Sequence, residues 1–177
     1  MSIYDHFSQT ELDILQARAE RIARVTDDAQ TDDVITGLTV NLGNELYVMP
    51  IDSLVGIHKE VAITPVPCVP THVTGVANVR GHVIPVLDLA ALLHVPGNEV
   101  ERGSIVVAAE GNISVACQVE TIGEVRNFES SELTPMPNAG EHAYSPYLRG
   151  ILAGKYTLID IEAIIHDPTL VIDEAVT

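Results

Sequence analysis

A chain of 177 residues with nine Lys and Arg against twenty-five Asp and Glu carries a net charge of −16, so it lacks the basic footprint that a phosphate backbone or an anionic membrane demands. Its residues are 46% hydrophobic, enough to bury a core, yet no apolar run nears the ~20 residues that cross a bilayer, and no basic-then-hydrophobic leader opens the chain. Nucleic-acid binding and direct membrane insertion are thereby disfavoured, and the composition points to a globular protein of the cytoplasm.

Ser8 and Glu11 form a capping box, and Leu12, Leu15, Ala19 and Ile22 follow at alternating steps of three and four, which predicts an N-terminal amphipathic helix. Arg18, Arg21 and Arg24 stand towards its C-terminal end, where positive charge suits the helix dipole. The leucine face of such a helix packs either on its own domain or on a partner. Thr26 to Asp33 carries four aspartates and little to bury, so residues 1–33 read as a helix and an acidic linker.

From Val34 the signal turns to β. Leu38 to Leu42, the pair Gly43-Asn44, and Leu46 to Met49 predict a hairpin with a Gly-led type II′ turn. Pro50 ends it, and Ile51 to Ile57 reads as a third strand. Pro65, Pro67 and Pro70 then keep Thr64 to Thr71 extended. Gly75 to Leu93 holds three instructions in nineteen residues. A short apolar strand ends at Asn78-Val79-Arg80-Gly81, where the chain reverses. Val83 to Leu87 is a β-branched run whose Pro85 cannot donate to a ladder, so it belongs at an edge, an end or a bulge. Asp88 then caps a short helix carrying Leu89, Leu92 and Leu93.

The plan repeats. Ser104 to Glu110, Gly111-Asn112 and Ile113 to Cys117 form a second hairpin with the same turn pair, and Val119 to Val125 matches the third strand. A proline-bearing loop at Pro135 to Asn138 follows. Tyr147 to Gly154, Lys155 to Ile159 and an Asp160-capped helix to Ile165 then echo the strand, turn, strand and helix of the first half. Two sets of about five short strands predict a mainly β fold of two small barrels, roughly 34–100 and 101–165. They fall within one domain at 34–170, followed by a tail at 171–177. Each half is near the size at which a domain is marginal alone, so the two are expected to share a core.

Motifs of catalysis are missing. No two histidines stand at i, i+4, so no zinc site is predicted, and no nucleophile elbow, P-loop or dinucleotide fingerprint occurs. Cys68 and Cys117 have no pairing pattern and read as buried free thiols. Cys68 with His72 is the only arrangement that resembles a nucleophile and base, the slender support for a thiol hydrolase or ligand-binding barrel. Asp88 and Asp160 read as caps rather than as a carboxylate pair. No catalytic residue, metal or cofactor is expected.

The segment G-V-A-N-V-R-G-H-V-I-P-V-L-D-L, Gly75 to Leu89, resembles the signature of the CheW family of chemotaxis coupling proteins. Tyr47-Val48-Met49-Pro50-Ile51, the prolines Pro67 and Pro70, Val119 to Val125 and Tyr147 to Ile164 extend the resemblance over about Val34 to Ile165. It implies two intertwined five-stranded SH3-like barrels and a non-catalytic adaptor. Such an adaptor bridges a chemoreceptor's cytoplasmic tip and the regulatory domain of a CheA-type histidine kinase. By the same resemblance, Asn78, Arg80 and Gly81 match the turn near the receptor and kinase contacts, and Val83, Ile84 and Pro85 match the strand after it. Two departures stand out. Gly56 falls where the family commonly has a glutamate to pair with the turn arginine, leaving Glu60 or Asp52 for that role. After Asp88-Leu89, Ala90 to His94 replaces the usual arginine and phenylalanine-glycine ending. These departures and the N-terminal helix admit a coupling role in twitching, phototaxis or another non-flagellar pathway.

Overall fold

The computed structural model describes residues 9–25, 33–96, 104–136 and 145–170. The first repeat comprises a hairpin, β1 (Val34–Leu42) and β2 (Glu45–Pro50), then β3 (Leu54–His58), β4 (Ile63–Thr64), β5 (Val73–Val79) and β6 (His82–Asp88). An N-terminal helix, α1 (Gln9–Val25), precedes it and a short helix, α2 (Leu89–Leu92), closes it. The second repeat comprises the hairpin β7 (Ser104–Glu110) and β8 (Ile113–Val119), then β9 (Thr121–Glu129), β10 (Leu133–Pro135), β11 (Leu148–Leu152), β12 (Tyr156–Ile159) and α3 (Ile161–Ile165). Both hairpins turn on two residues, Gly43-Asn44 and Gly111-Asn112, with the glycines at φ +58° and +59°. Only glycine takes that conformation without a Cβ penalty.

The repeats exchange their hairpins. One sheet has the order β10-β11-β12-β2-β1-β9, so the first hairpin lies among the later strands of the second repeat. The other has the order β3-β7-β8-β6-β5-β4, with the second hairpin among strands of the first. The exchange is joined by two short parallel pairings, Tyr47 and Val48 beside Thr157 and Leu158, and Val86 and Leu87 beside Ala116 and Cys117. This is the intertwining of two barrels in physical terms: the repeat seen in the sequence is not the unit closed in space.

Burial follows from the exchange. Ala77, Ile84, Val86, Ile105, Val107 and Ala116 fill one barrel, while Val48, Phe128, Leu152, Tyr156 and Leu158 fill the other. Between the barrels lies a larger cluster that includes Leu38, Met49, Leu54, Leu87, Val106, Cys117 and Ile159. Successive side chains of β7 therefore face different cores, Ile105 and Val107 inside a barrel and Val106 between barrels. A strand buried on both faces needs a continuous apolar run, which is why Ile105 to Ala108 shows no polar alternation. Each such side chain contributes about 1.5–3 kcal/mol.

Both aspartate caps form. Asp88 Oδ1 accepts from the Ala91 amide and Asp160 Oδ1 from the Ala163 amide, each at 3.0 Å. Helices of four and five residues have few hydrogen bonds of their own, so a cap worth about 1 kcal/mol is a large share of their definition.

Three expectations are corrected. The third strand does not begin at Ile51: a 3-10 turn occupies Ile51–Ser53 and β3 starts at Leu54. Cys68 is exposed, in a loop at φ +61°, whereas Cys117 is buried. The helix docks on its own domain, but by another face: Ile14 is 2% exposed and Ala17 packs beside the inter-barrel cluster, while Leu15 and Ala19 of the leucine stripe are exposed. Ser8 of the capping box, the side chains of Glu11, Leu12, Arg21, Ile22 and Arg24, the linker before Asp33, Pro137 and Asn138, and the tail at 171–177 lie outside the described residues.

Candidate functional interface

β5 and β6 pair through Val79 and His82, which leaves Arg80 and Gly81 as a two-residue turn. Both have positive φ, +52° and +88°, the pattern of a type I′ turn that matches the right-handed twist of its strands. Asn78 Oδ1 accepts from the Gly81 amide at 2.9 Å and holds the reversal from one side. A Cβ on Gly81 would meet nothing within 4 Å, so its φ, and not space, calls for glycine. Arg80 has no such freedom, and left-handed backbone costs a residue that carries a Cβ about 1 kcal/mol. The fold thus holds an exposed arginine at the tip of a turn in a conformation its own backbone does not prefer.

Along β6 the exposure alternates. Val83 is 67% exposed, the largest value among exposed large hydrophobics of the described residues, and Pro85 is half-buried on the same face. Ile84, on the opposite face, is 7% exposed inside its barrel. Of the six residues expected at an interface, Asn78, Arg80, Gly81 and Val83 come together at the surface, Pro85 borders them, and Ile84 belongs to the core.

The structure adds a neighbour that is not evident from the first repeat alone. β8 runs parallel to β6 with Ala116 beside Val86, so Ile113 and Val83, each three residues earlier, share the outward face. Ile113 is 39% exposed. A groove of about 240 Å³ continues from it, lined by Pro85, Asn112, Val115, Ile164, Ile165 and Leu170 among others. Close to these lining residues in the chain, His166 Nε2 and Glu110 Oε2 lie within hydrogen-bond distance at 2.7 Å. The sequence signal for Ile113 is an apolar residue directly after the Gly111-Asn112 turn, but only the exchange of hairpins brings it to the groove that Pro85 also lines.

Elsewhere the polar groups tie loops together. Asp167 accepts from Thr169 and from the Tyr147 hydroxyl at 2.5 Å, which holds its carboxyl below the usual carboxylate range. Burial, with that carboxylate, pushes the Tyr147 hydroxyl up to about 12. Burial alone pushes the Cys117 thiol up to about 12, far from a thiolate at neutral pH. Arg149 pairs with the capping Asp160 at 3.3 Å. Among the described residues no three His, Cys, Asp or Glu side chains gather as a metal site, and no helix is long and apolar enough to cross a membrane.

Comparison with known proteins agrees with this architecture. The CheW-like domain family model matches residues 36–169. The chain is 28% identical over 134 residues to the probable chemotaxis protein CheW of Rhizobium etli, covering 73% of this chain and 86% of that protein. It is 27% identical over 136 residues to the chemotaxis protein CheW of Thermotoga maritima, covering 75% and 89%. It is also 26% identical over 121 residues to protein PilI of Pseudomonas aeruginosa, covering 66% of each. Among solved structures, the scaffolding protein TtCheW from Thermoanaerobacter tengcongensis superposes with a TM-score of 0.67 at 22% identity, covering 76% of this chain and 94% of that one.

Proposed function

This chain belongs to the CheW-like family, and we propose that it is a non-catalytic adaptor of the cytoplasm that couples chemoreceptor tips to the regulatory domain of a CheA-type histidine kinase. The observation that carries the proposal is the join of the strained Arg80 turn to an exposed apolar strip, Val83, Pro85 and Ile113. A contiguous apolar patch beside a planar, multi-donor cation is the composition of a protein interface centre. Such an adaptor acts through interface free energy alone. By holding receptor and kinase in one geometry, it lets the receptor's state bias the kinase, a coupling between sites. Each contact is modest, on the order of 800 Å² per partner, and repetition in an array adds avidity. Domain limits at 34–170, with two pseudo-repeats near 34–100 and 101–165 that exchange hairpins between the barrels, belong to the same reading.

The test is a titration of parent and Arg80→Ala proteins against the two partners. Weaker binding of a variant with unchanged unfolding supports the assignment, and equal affinity for both partners overturns it. A second reading, a coupling protein of a twitching, phototaxis or other non-flagellar pathway, is favoured by α1, which lies outside the residues that match the family. Preference among the kinases of one organism distinguishes the two.

A further inference from the structure

A cavity of about 660 Å³ opens at one end of the second barrel, where β1 and β11 begin and β2 and β12 end. That volume falls within the roughly 300–1,000 Å³ typical of small-molecule sites, and the mouths of barrels are among the places where such sites form. Its floor is the barrel core itself: Leu158 is 1% exposed, and Ile35 and Leu133 pack against the same cluster. Pro50 continues the apolar wall. The rim is charged with both signs, carrying Arg149, Asp160, Asp52 and Glu162.

Two of these charges cancel and hold each other in place. Asp160 uses one oxygen to accept the Ala163 amide at 3.0 Å and the other to meet Arg149 Nε at 3.3 Å. With Nε committed, the Nη1 and Nη2 edge of the guanidinium remains for a second acceptor, and none of the described residues supplies it. Glu162, two residues beyond Asp160 and exposed, likewise has no side-chain partner among the described residues. An anion alone meets Asp52 and Glu162 on a chain of net charge −16, and a cation alone leaves the guanidinium edge unanswered. A molecule with both charges on one carbon and an apolar remainder satisfies the rim and the floor together.

We propose that this mouth is a binding site for a free α-amino acid with an apolar side chain. Its carboxylate takes the Nη edge of Arg149 as a bidentate pair, its ammonium meets Glu162, and Asp52 adds negative charge on the same rim. The side chain lies on Ile35, Leu133 and Leu158. Ile35, Pro50 and Asp52 come from the first repeat, and Leu133, Arg149, Leu158 and Glu162 from the second, so the ligand bridges the exchanged hairpin and the barrel that receives it. A molecule bound there stabilises the folded chain. The inference goes beyond the adaptor reading, and its test needs neither kinase nor receptor.

That test is a calorimetric titration of the full chain with L-leucine, set beside isocaproate, which lacks the ammonium, isoamylamine, which lacks the carboxylate, and glycine, which lacks the side chain. Saturable one-to-one binding of leucine is expected, with each of the three others at least ten-fold weaker, and leucine raises the midpoint of thermal unfolding. Arg149→Gln and Glu162→Gln each weaken leucine at least ten-fold while circular dichroism confirms the fold. Absence of saturable binding at millimolar leucine overturns the proposal, as does leucine binding that Arg149→Gln leaves unchanged. Isoamylamine binding as tightly as leucine overturns it too, because the mouth is then a site for cations alone. If either variant does not fold, the comparison of the four compounds on the parent chain decides by itself.

Discussion

Val83 and Ile84 are chain neighbours with opposite fates, which makes them a paired test of the interface. Val83→Ala removes two methyl groups from a side chain that is 67% exposed. If a partner covers the exposed two thirds, at about 0.8 kcal/mol per buried methyl or methylene, the loss on binding is about 1 kcal/mol, or roughly five-fold in Kd. The unfolding free energy of an exposed position changes by less than about 0.5 kcal/mol. Ile84→Ala removes three carbons from a side chain that is 7% exposed in a filled barrel, at a cost to stability of about 2–4 kcal/mol. The chain has no tryptophan, so urea unfolding is followed by circular dichroism, and binding by calorimetric titration against the kinase regulatory domain and a receptor-tip fragment in turn. Affinity of Val83→Ala equal to parent for both partners refutes the placement of the interface. A stability loss above about 2 kcal/mol from Val83→Ala would refute the assignment of its side chain to the surface.

Arg80→Gly relieves left-handed backbone, so its stability in urea equals or exceeds that of Arg80→Ala, while both lose the contact the arginine makes to a partner. Asp88→Ala and Asp160→Ala each lower the unfolding free energy by about 1 kcal/mol, because each removes the acceptor of one amide hydrogen bond at 3.0 Å. Thiol labelling of the native protein reaches Cys68 and spares Cys117 until the chain unfolds. Burial raises the Cys117 thiol from 9.0 to about 12, so the stability it contributes is fully present below pH 9 and is lost as pH rises towards about 12. Cys117→Ala makes the decline over that alkaline window shallower.

Much of this architecture is legible in the sequence because local rules and global fold agree. Both glycine-led hairpins, the Arg80-Gly81 reversal and the two aspartate caps lie where turn chemistry and capping place them. What stays hidden depends on contacts far apart in sequence. Nothing local tells β1 to pair with β9 of the second repeat and not with the later strands of its own half. The helix face differs from its pattern: Leu12, Leu15, Ala19 and Ile22 give the cleaner stripe, yet among the described side chains Ile14 is the buried one and Leu15 is exposed, with Arg18 reaching the Leu54 carbonyl one turn after Ile14. Cys68 has apolar neighbours in sequence, which suggest burial, but it sits at φ +61° in a turn that leaves it exposed while the adjacent Val69 packs on the core. At the interface, the turn and Val83 are visible in the β5–β6 segment, whereas Ile84 shares their motif although strand alternation points it inward.

The most direct measurement is calorimetric titration of the purified full chain against the regulatory domain of a CheA-type kinase from the same organism. Saturable one-to-one binding that Arg80→Ala and Val83→Ala weaken without altering unfolding is the expected result. Absence of binding to every such kinase of that organism would contradict the coupling role and leave the fold without the function proposed for it.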